Sequence, residues 1–163
     1  MNIEIKSLPE DRWEDSKFIR LEALKKESSA FGSSYEEEIK FTEDIWKSRI
    51  KNGIFALVDD KPVGLTSYIV SSRIKQKHKA EIHAVYVDKE FRGKGIGKML
   101  IQKALDEIKK SPGIKKVELG VMSQQDAAIA LYEHFGFKKV GLYSKASFVD
   151  GQFYDAVMME LLF

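Results

Sequence analysis

The chain has 163 residues, with 27 Lys and Arg against 25 Asp and Glu and no cysteine. Its length fits one domain spanning residues 1–163 that buries a core without covalent staples. A net charge of only +2 disfavours a dedicated nucleic-acid binder, and the missing thiols remove disulfides, thiolate metal sites and cysteine nucleophiles.

The first segment, NIEIKSL, alternates Ile3 and Ile5 with polar residues and predicts a short strand. Nothing there follows the basic-then-apolar plan of a signal peptide, and no apolar run approaches a membrane span, so a soluble cytoplasmic protein is expected. From about Pro9 to Lys26 the pattern turns helical, with Phe18, Leu21 and Leu24 near one face. SSAFGSS breaks it, and a second helical region runs through EDIWKSRI. GIFALVDDKPVGLTSYIV reads as two strands joined at Asp59-Asp60-Lys61, with Pro62 at the return edge. SSRIKQKHK is a polar, basic loop, and AEIHAVYVD is the next strand.

A helix follows in which Gly97, Leu100, Ile101, Ala104, Leu105 and Ile108 form a continuous apolar face. SPG stops it. KKVELGV is a strand and QDAAIALYEHF a helix, with Gly136 at the expected C-cap. A closing hairpin turns at Asp150-Gly151. The predicted order is strand, two helices, three strands, helix, strand, helix, two strands, a mixed α/β fold without internal repeats.

The stretch VYVDKEFRGKGIGKML, Val85–Leu100, places three glycines and several cations between a strand and a helix. A tight turn explains the glycines alone. A nucleotide P-loop requires G-x-x-x-x-G-K-[ST], which is absent. A dinucleotide fingerprint requires G-x-G-x-x-G, whereas Gly93, Gly95 and Gly97 spell G-x-G-x-G, and the nearest acidic partner, Glu118, lies inside its strand. Anion binding at a helix N-terminus explains glycines and cations together. The N–H groups of Gly93, Lys94, Gly95, Ile96, Gly97 and Lys98 lack intrahelical acceptors, and Arg92, Lys94 and Lys98 bring countercharge.

The same stretch resembles the acetyl-coenzyme A signature R/Q-x-x-G-x-G/A of the GNAT superfamily of N-acetyltransferases, with Arg92, Gly95 and Gly97 at its fixed positions. VELGVMSQQDAAIALYEHFGF is similar to that family's second motif at Val121, Ala128, Leu131, Tyr132, Glu133, Gly136 and Phe137. Gln125 stands where asparagine is usual, which implies a weaker or longer contact to the cofactor. The predicted element order matches the family fold over almost the whole chain, including a central mixed sheet splayed at the cofactor cleft.

The resemblance implies acetyl-CoA as cosubstrate and no metal. Pantetheine would lie between the strand ending at Val85, Tyr86 and Val87 and the strand spanning Val117 to Met122, with backbone groups of Val85 and Val87 bonding its amides. The amides of Gly93 to Lys98 would hold the pyrophosphate, and Gln125 and Ala128 would flank the cofactor. It also implies Tyr132 as general acid for the departing thiolate; packing with a wet hydroxyl is the structural alternative. For the base, Glu81 resembles the glutamate of histone acetyltransferase relatives. His83, two residues on, shares its strand face barring a bulge and suits proton exchange near neutrality. Glu81 is favoured, with a water relay open.

The resemblance further implies a primary amine as acceptor, on a small molecule or on a protein N-terminus or lysine, and neither nucleic acid nor membrane is expected as a partner. Homodimers are common in the family. A non-catalytic acyl-CoA sensor of the same fold is the alternative function. Glu36, Glu37 and Glu38 either attract a cationic amine or form a solvated helix start, and the latter is commoner. Trp13 and Trp46 are expected to pack, and the loop Arg73–Lys79 to be solvated rather than to meet an acidic acceptor or the cofactor's 3′-phosphate.

Overall fold

The computed structural model describes residues 1–163. Seven strands form one mixed sheet. In spatial order they are β1 (Ile3–Lys6), β2 (Gly53–Val58), β3 (Lys61–Val70), β4 (Lys79–Val87), β5 (Lys116–Met122), β7 (Gln152–Leu162) and β6 (Lys138–Val149). Every neighbouring pair is antiparallel except β4 and β5. The helices are α1 (Trp13–Lys26), α2 (Tyr35–Glu38), α3 (Glu43–Arg49), α4 (Ile96–Lys109) and α5 (Asp126–His134). None is long and apolar enough to cross a membrane.

The sheet separates two apolar clusters. The larger gathers Leu100, Ile101, Ala104, Leu105 and Ile108 of α4 against Ile54, Ala56, Ala80 and Ile82, and continues through Ile129, Tyr132 and Phe137. This is the predicted stripe of α4, with Ile96 buried at its start. The smaller joins Ile19 and Ala23 of α1 to Phe55, Leu57, Leu65 and Tyr86. Strand alternation explains the division, because Phe55 and Leu57 face one way while Ile54 and Ala56 face the other.

Two expectations need correction. The buried side of α1 is Ser16, Ile19, Arg20, Ala23 and Leu24, whereas Phe18 is 54% exposed. Apolar spacing misjudges this face because an arginine occupies it, made tolerable by a partner elsewhere in the chain. The second helical region is two short helices, interrupted at Lys40–Phe41 and restarted behind Thr42.

Two turns proceed as expected. Asp59 and Asp60 adopt φ of 50° and 64°, the left-handed pair that suits a two-residue hairpin. Asp150 and Gly151 turn the outer hairpin in the same way. Its β6 strand forms one of the two edges of the sheet, opposite β1, with Val140, Leu142, Tyr143 and Phe148 exposed.

One irregularity opens the middle of the sheet. β4 and β5 pair only at Lys79–Lys116, Ala80–Val117 and Glu81–Glu118, then part. At the parting, Ala84 adopts φ of 56°, and Ala84 and Val85 together oppose Thr66 between the pairs Tyr86–Leu65 and His83–Ser67. This is a β-bulge, which bends a strand and increases its twist. The Thr66 hydroxyl donates to the His83 carbonyl at 3.0 Å and braces it.

Candidate active site

The parted strands leave main-chain groups without ladder partners. The Asp88 N–H donates to the Val63 carbonyl at 2.8 Å, so by antiparallel alternation the peptide groups of Val87 and Val85 point away from β3, into the gap. On the opposite wall the Ser123 N–H donates to the Asp155 carbonyl at 2.8 Å. The same alternation turns Met122 and Gly120 towards the gap. Tyr86 differs: its ring packs in the α1 cluster and its peptide pairs with Leu65 on β3. It holds the strand, and it also borders the smaller cavity.

Two cavities open from this gap. The smaller, about 370 Å³, runs from Val85 and Val87 past Arg92, Gly93, Gly95, Ile96, Gly97 and Lys98. The larger, about 520 Å³, includes His83, Gly120, Met122 and Tyr132 in its wall. Ala30, Phe31, Val85, Gln125 and Ala128 line both, so the two cavities adjoin there.

At the end of the smaller cavity, Gly93 and Gly95 both take φ of 77°, and Gly95 caps α4 without any side-chain hydrogen bond. The first amides of this 14-residue helix therefore present N–H groups to a ligand. Gly97 serves packing instead. A Cβ there would meet Leu131 at 3.3 Å, so glycine lets α4 and α5 approach. Arg92 is tied down. Its Nε donates to the Val87 carbonyl at 2.9 Å and its Nη2 to Glu27 at 2.6 Å. Lys94 and Lys98 are exposed, with only Lys98 in the cavity wall.

Gln125 precedes α5 as its N-cap residue, yet its side chain caps nothing, which leaves it available at the junction of the two cavities. Ala128 lies one turn further along α5. Tyr132 follows, 5% exposed, packed edge-on against Phe137 with ring centroids 6.0 Å apart. Burial alone raises its hydroxyl above the ordinary tyrosine value.

The bulge begins just after His83, so the expected shared face of Glu81 and His83 is preserved. His83 Nε2 lies 3.1 Å from a Glu81 carboxylate oxygen. His83 lines the larger cavity and Glu81 does not. The basic loop from Arg73 contributes nothing to either cavity.

Sequence reading missed two charged residues and expected a third, Glu38, to be solvated. Arg20 of α1 and Arg49 of α3 line the larger cavity. Behind them sits Glu38, 3% exposed, while Glu36 and Glu37 are exposed as expected. Arg20 donates from Nε and Nη2 to the two Glu38 oxygens, each at 2.9 Å, and Arg49 Nη1 approaches Oε2 at 3.1 Å. Burial pushes the Glu38 carboxyl up, but the Arg20 bonds and both guanidinium charges outweigh it and hold the group below the usual range. Trp46 packs as expected, buried, with Arg49 over its ring at 5.6 Å. No spacing rule links positions 20, 38 and 49, so nothing in the sequence signalled this trio.

Residues 13–137 match the acetyltransferase (GNAT) family. The chain is 29% identical over 154 residues to the N-alpha-acetyltransferase RimI of Mycobacterium tuberculosis, covering 90% of this chain and 94% of that protein. It is 40% identical over 94 residues to the uncharacterized N-acetyltransferase MJ1207 of Methanocaldococcus jannaschii, a match spanning 56% of this chain and only 41% of that longer relative. Its fold superposes on yncA of Salmonella typhimurium, a putative acetyltransferase solved with acetyl-CoA, with a TM-score of 0.84, 19% identity and coverage of 99% and 94%. With its splayed strands, its glycine-led helix and more than half of its length matched by the family pattern, this chain belongs to the GNAT family of acetyltransferases.

Proposed function

We propose that the chain, acting as one domain, is an acetyl-CoA-dependent N-acetyltransferase that moves an acetyl group to a primary amine. The observation that carries this reading is the gap between β4 and β5, where a phosphate-suited cavity and a second cavity walled in part by Arg20, Arg49 and His83 adjoin at Val85, Gln125 and Ala128. An extended pantetheine fits the gap as an added strand, because Val85 and the Val87 N–H offer groups that the missing β5 ladder would have used, the Val87 carbonyl being engaged by Arg92. The amides opening α4, with Lys98 beside them, suit the pyrophosphate. Arg92 supports this indirectly by fixing the end of β4 to Glu27.

The reaction is direct. The amine nitrogen bonds to the thioester carbonyl carbon, the oxyanion collapses, the C–S bond breaks, and the products are an amide and the thiol of CoA. One proton leaves the amine and one reaches the sulfur. A lysine-like amine titrates at about 10.4, so only about one molecule in 10³ is neutral at pH 7 and a base assists. Sequence reading favoured Glu81 for that role; the geometry supports His83 acting in front of it. A carboxylate 3.1 Å from Nε2 favours the tautomer protonated there, leaving Nδ1 as acceptor. Tyr132, in the wall of the larger cavity and protonated at neutral pH like any tyrosine, supplies the proton to the departing sulfur.

The test is a melting curve with acetyl-CoA, with NAD and ATP as controls, followed by thiol release over a panel of amines. At about 100 times the dissociation constant, binding adds roughly 2.7 kcal/mol, or roughly 5–10 °C. Absence of any shift with acetyl-CoA refutes the reading. A shift without turnover of any amine would favour the non-catalytic acyl-CoA sensor.

A further inference from the structure

The larger cavity is unusual for a site that receives a cation. Its wall contains Arg20, Arg49 and His83, and no aspartate or glutamate. Glu38 lies behind that wall with both oxygens engaged by Arg20. Two guanidinium groups and one carboxylate leave the trio with a net charge of +1. The surplus resides with Arg49, because Arg20 is bidentate and its side chain only 9% exposed, whereas that of Arg49 is 39% exposed and makes a single contact with Glu38. The Arg49 guanidinium is also braced over the rings of Phe41 and Trp46, 5.3 and 5.6 Å away. A braced, part-exposed guanidinium with donors to spare is a carboxylate-binding group.

We propose that the acceptor is a small amine that also carries a carboxylate, a free amino acid in the simplest case, and that Arg49 binds this carboxylate. The inference rests on the acetyl-transfer reading and narrows it. A polyamine or a lysine side chain brings only positive charge and meets a cavity without a counter-charge, an arrangement that discriminates against it. An amino acid pairs its carboxylate with Arg49, while Asn52 and Ser67, also in the wall, offer neutral hydrogen bonds. The cavity, about 520 Å³, is of small-molecule size.

The experiment compares kcat/KM, by thiol release, for L-amino acids, their carboxamides, a polyamine and a lysine peptide. It is repeated with Arg49→Gln and Arg49→Lys. The amides keep the amine and side chain and lose only the carboxylate. The wild type is expected to prefer acids over amides by at least ~10-fold, the scale of one charge-assisted hydrogen bond. In Arg49→Gln that ratio falls towards one, chiefly through KM for the acid, and Arg49→Lys restores part of it. The acetyl-CoA melting shift, measured in every variant, reports folding and cofactor binding separately. If that shift is missing in the wild type, the acetyl-transfer reading fails. If it is present and the polyamine or the amides are preferred, or the acid preference survives Arg49→Gln, only the present inference fails. Should no amine turn over, stabilisation of the CoA complex by amino acids but not by amides would support the inference, and equal or absent stabilisation would overturn it.

Discussion

Replacing Glu38 by glutamine tests how the wall of the larger cavity is held. The carboxylate is nearly inaccessible and accepts two hydrogen bonds of 2.9 Å from Arg20. Each such charge-assisted bond is worth about 1.5–3 kcal/mol, and breaking a buried pair from one side costs about 3–5 kcal/mol because the remaining charge loses its partner. The Arg49 contact is left out of this sum, since its side chain is 39% exposed and water screens the interaction. Glu38→Gln should therefore destabilise the chain by about 3–5 kcal/mol, on the order of 10 °C in Tm at this length. The assay is urea unfolding at pH 7 for wild type, Glu38→Gln, Arg20→Met and the double variant. The double variant should lie closer to wild type than either single one, because removing both charges leaves nothing unpaired. A loss below about 1 kcal/mol in Glu38→Gln, or strictly additive losses in the double variant, would refute the reasoning.

Three further outcomes are expected. Tyr132→Phe should lower kcat by about 10²–10⁴-fold with the acetyl-CoA melting shift retained; a kcat within threefold of wild type would remove Tyr132 from proton transfer. Gly95→Ala meets open space but must hold φ of 77°, so it should cost about 1–2 kcal/mol of stability and weaken acetyl-CoA binding, both readable from melting curves with and without the ligand; an unchanged curve contradicts this. On acidification, Glu38 has a folded-state value below its ordinary 4.5. Its contribution is thus complete above pH 4.5 and disappears as pH falls through the lower folded value. Asp88, held down chiefly by the Lys26 hydrogen bond, acts in the same direction. Urea midpoints should fall more steeply below pH 4.5 in wild type than in Glu38→Gln, and parallel curves would exclude Glu38 as a source.

Local chemistry determined much of this protein. The stripe of α4, the hairpins at Asp59-Asp60 and Asp150-Gly151, and the left-handed Gly93, Gly95 and Gly136 follow from side-chain period and from which residues tolerate positive φ. The glycine-and-cation junction after Val87 was legible for the same reason: a helix start and its orphan amides are encoded within a few residues. The bulge at Ala84 was not legible, because alanine has no preference for φ of 56° and adopts it only when the pairing of β4 with β3 and the brace from Thr66 demand it. Nor did the sequence reveal that Arg20 lies inward on α1, that Glu38 alone of three glutamates is buried, or that Arg49 reaches the same carboxylate. Those facts belong to tertiary structure. A buried charge is stable only beside its partner, and three separate helices meet at Glu38 only once the chain has folded.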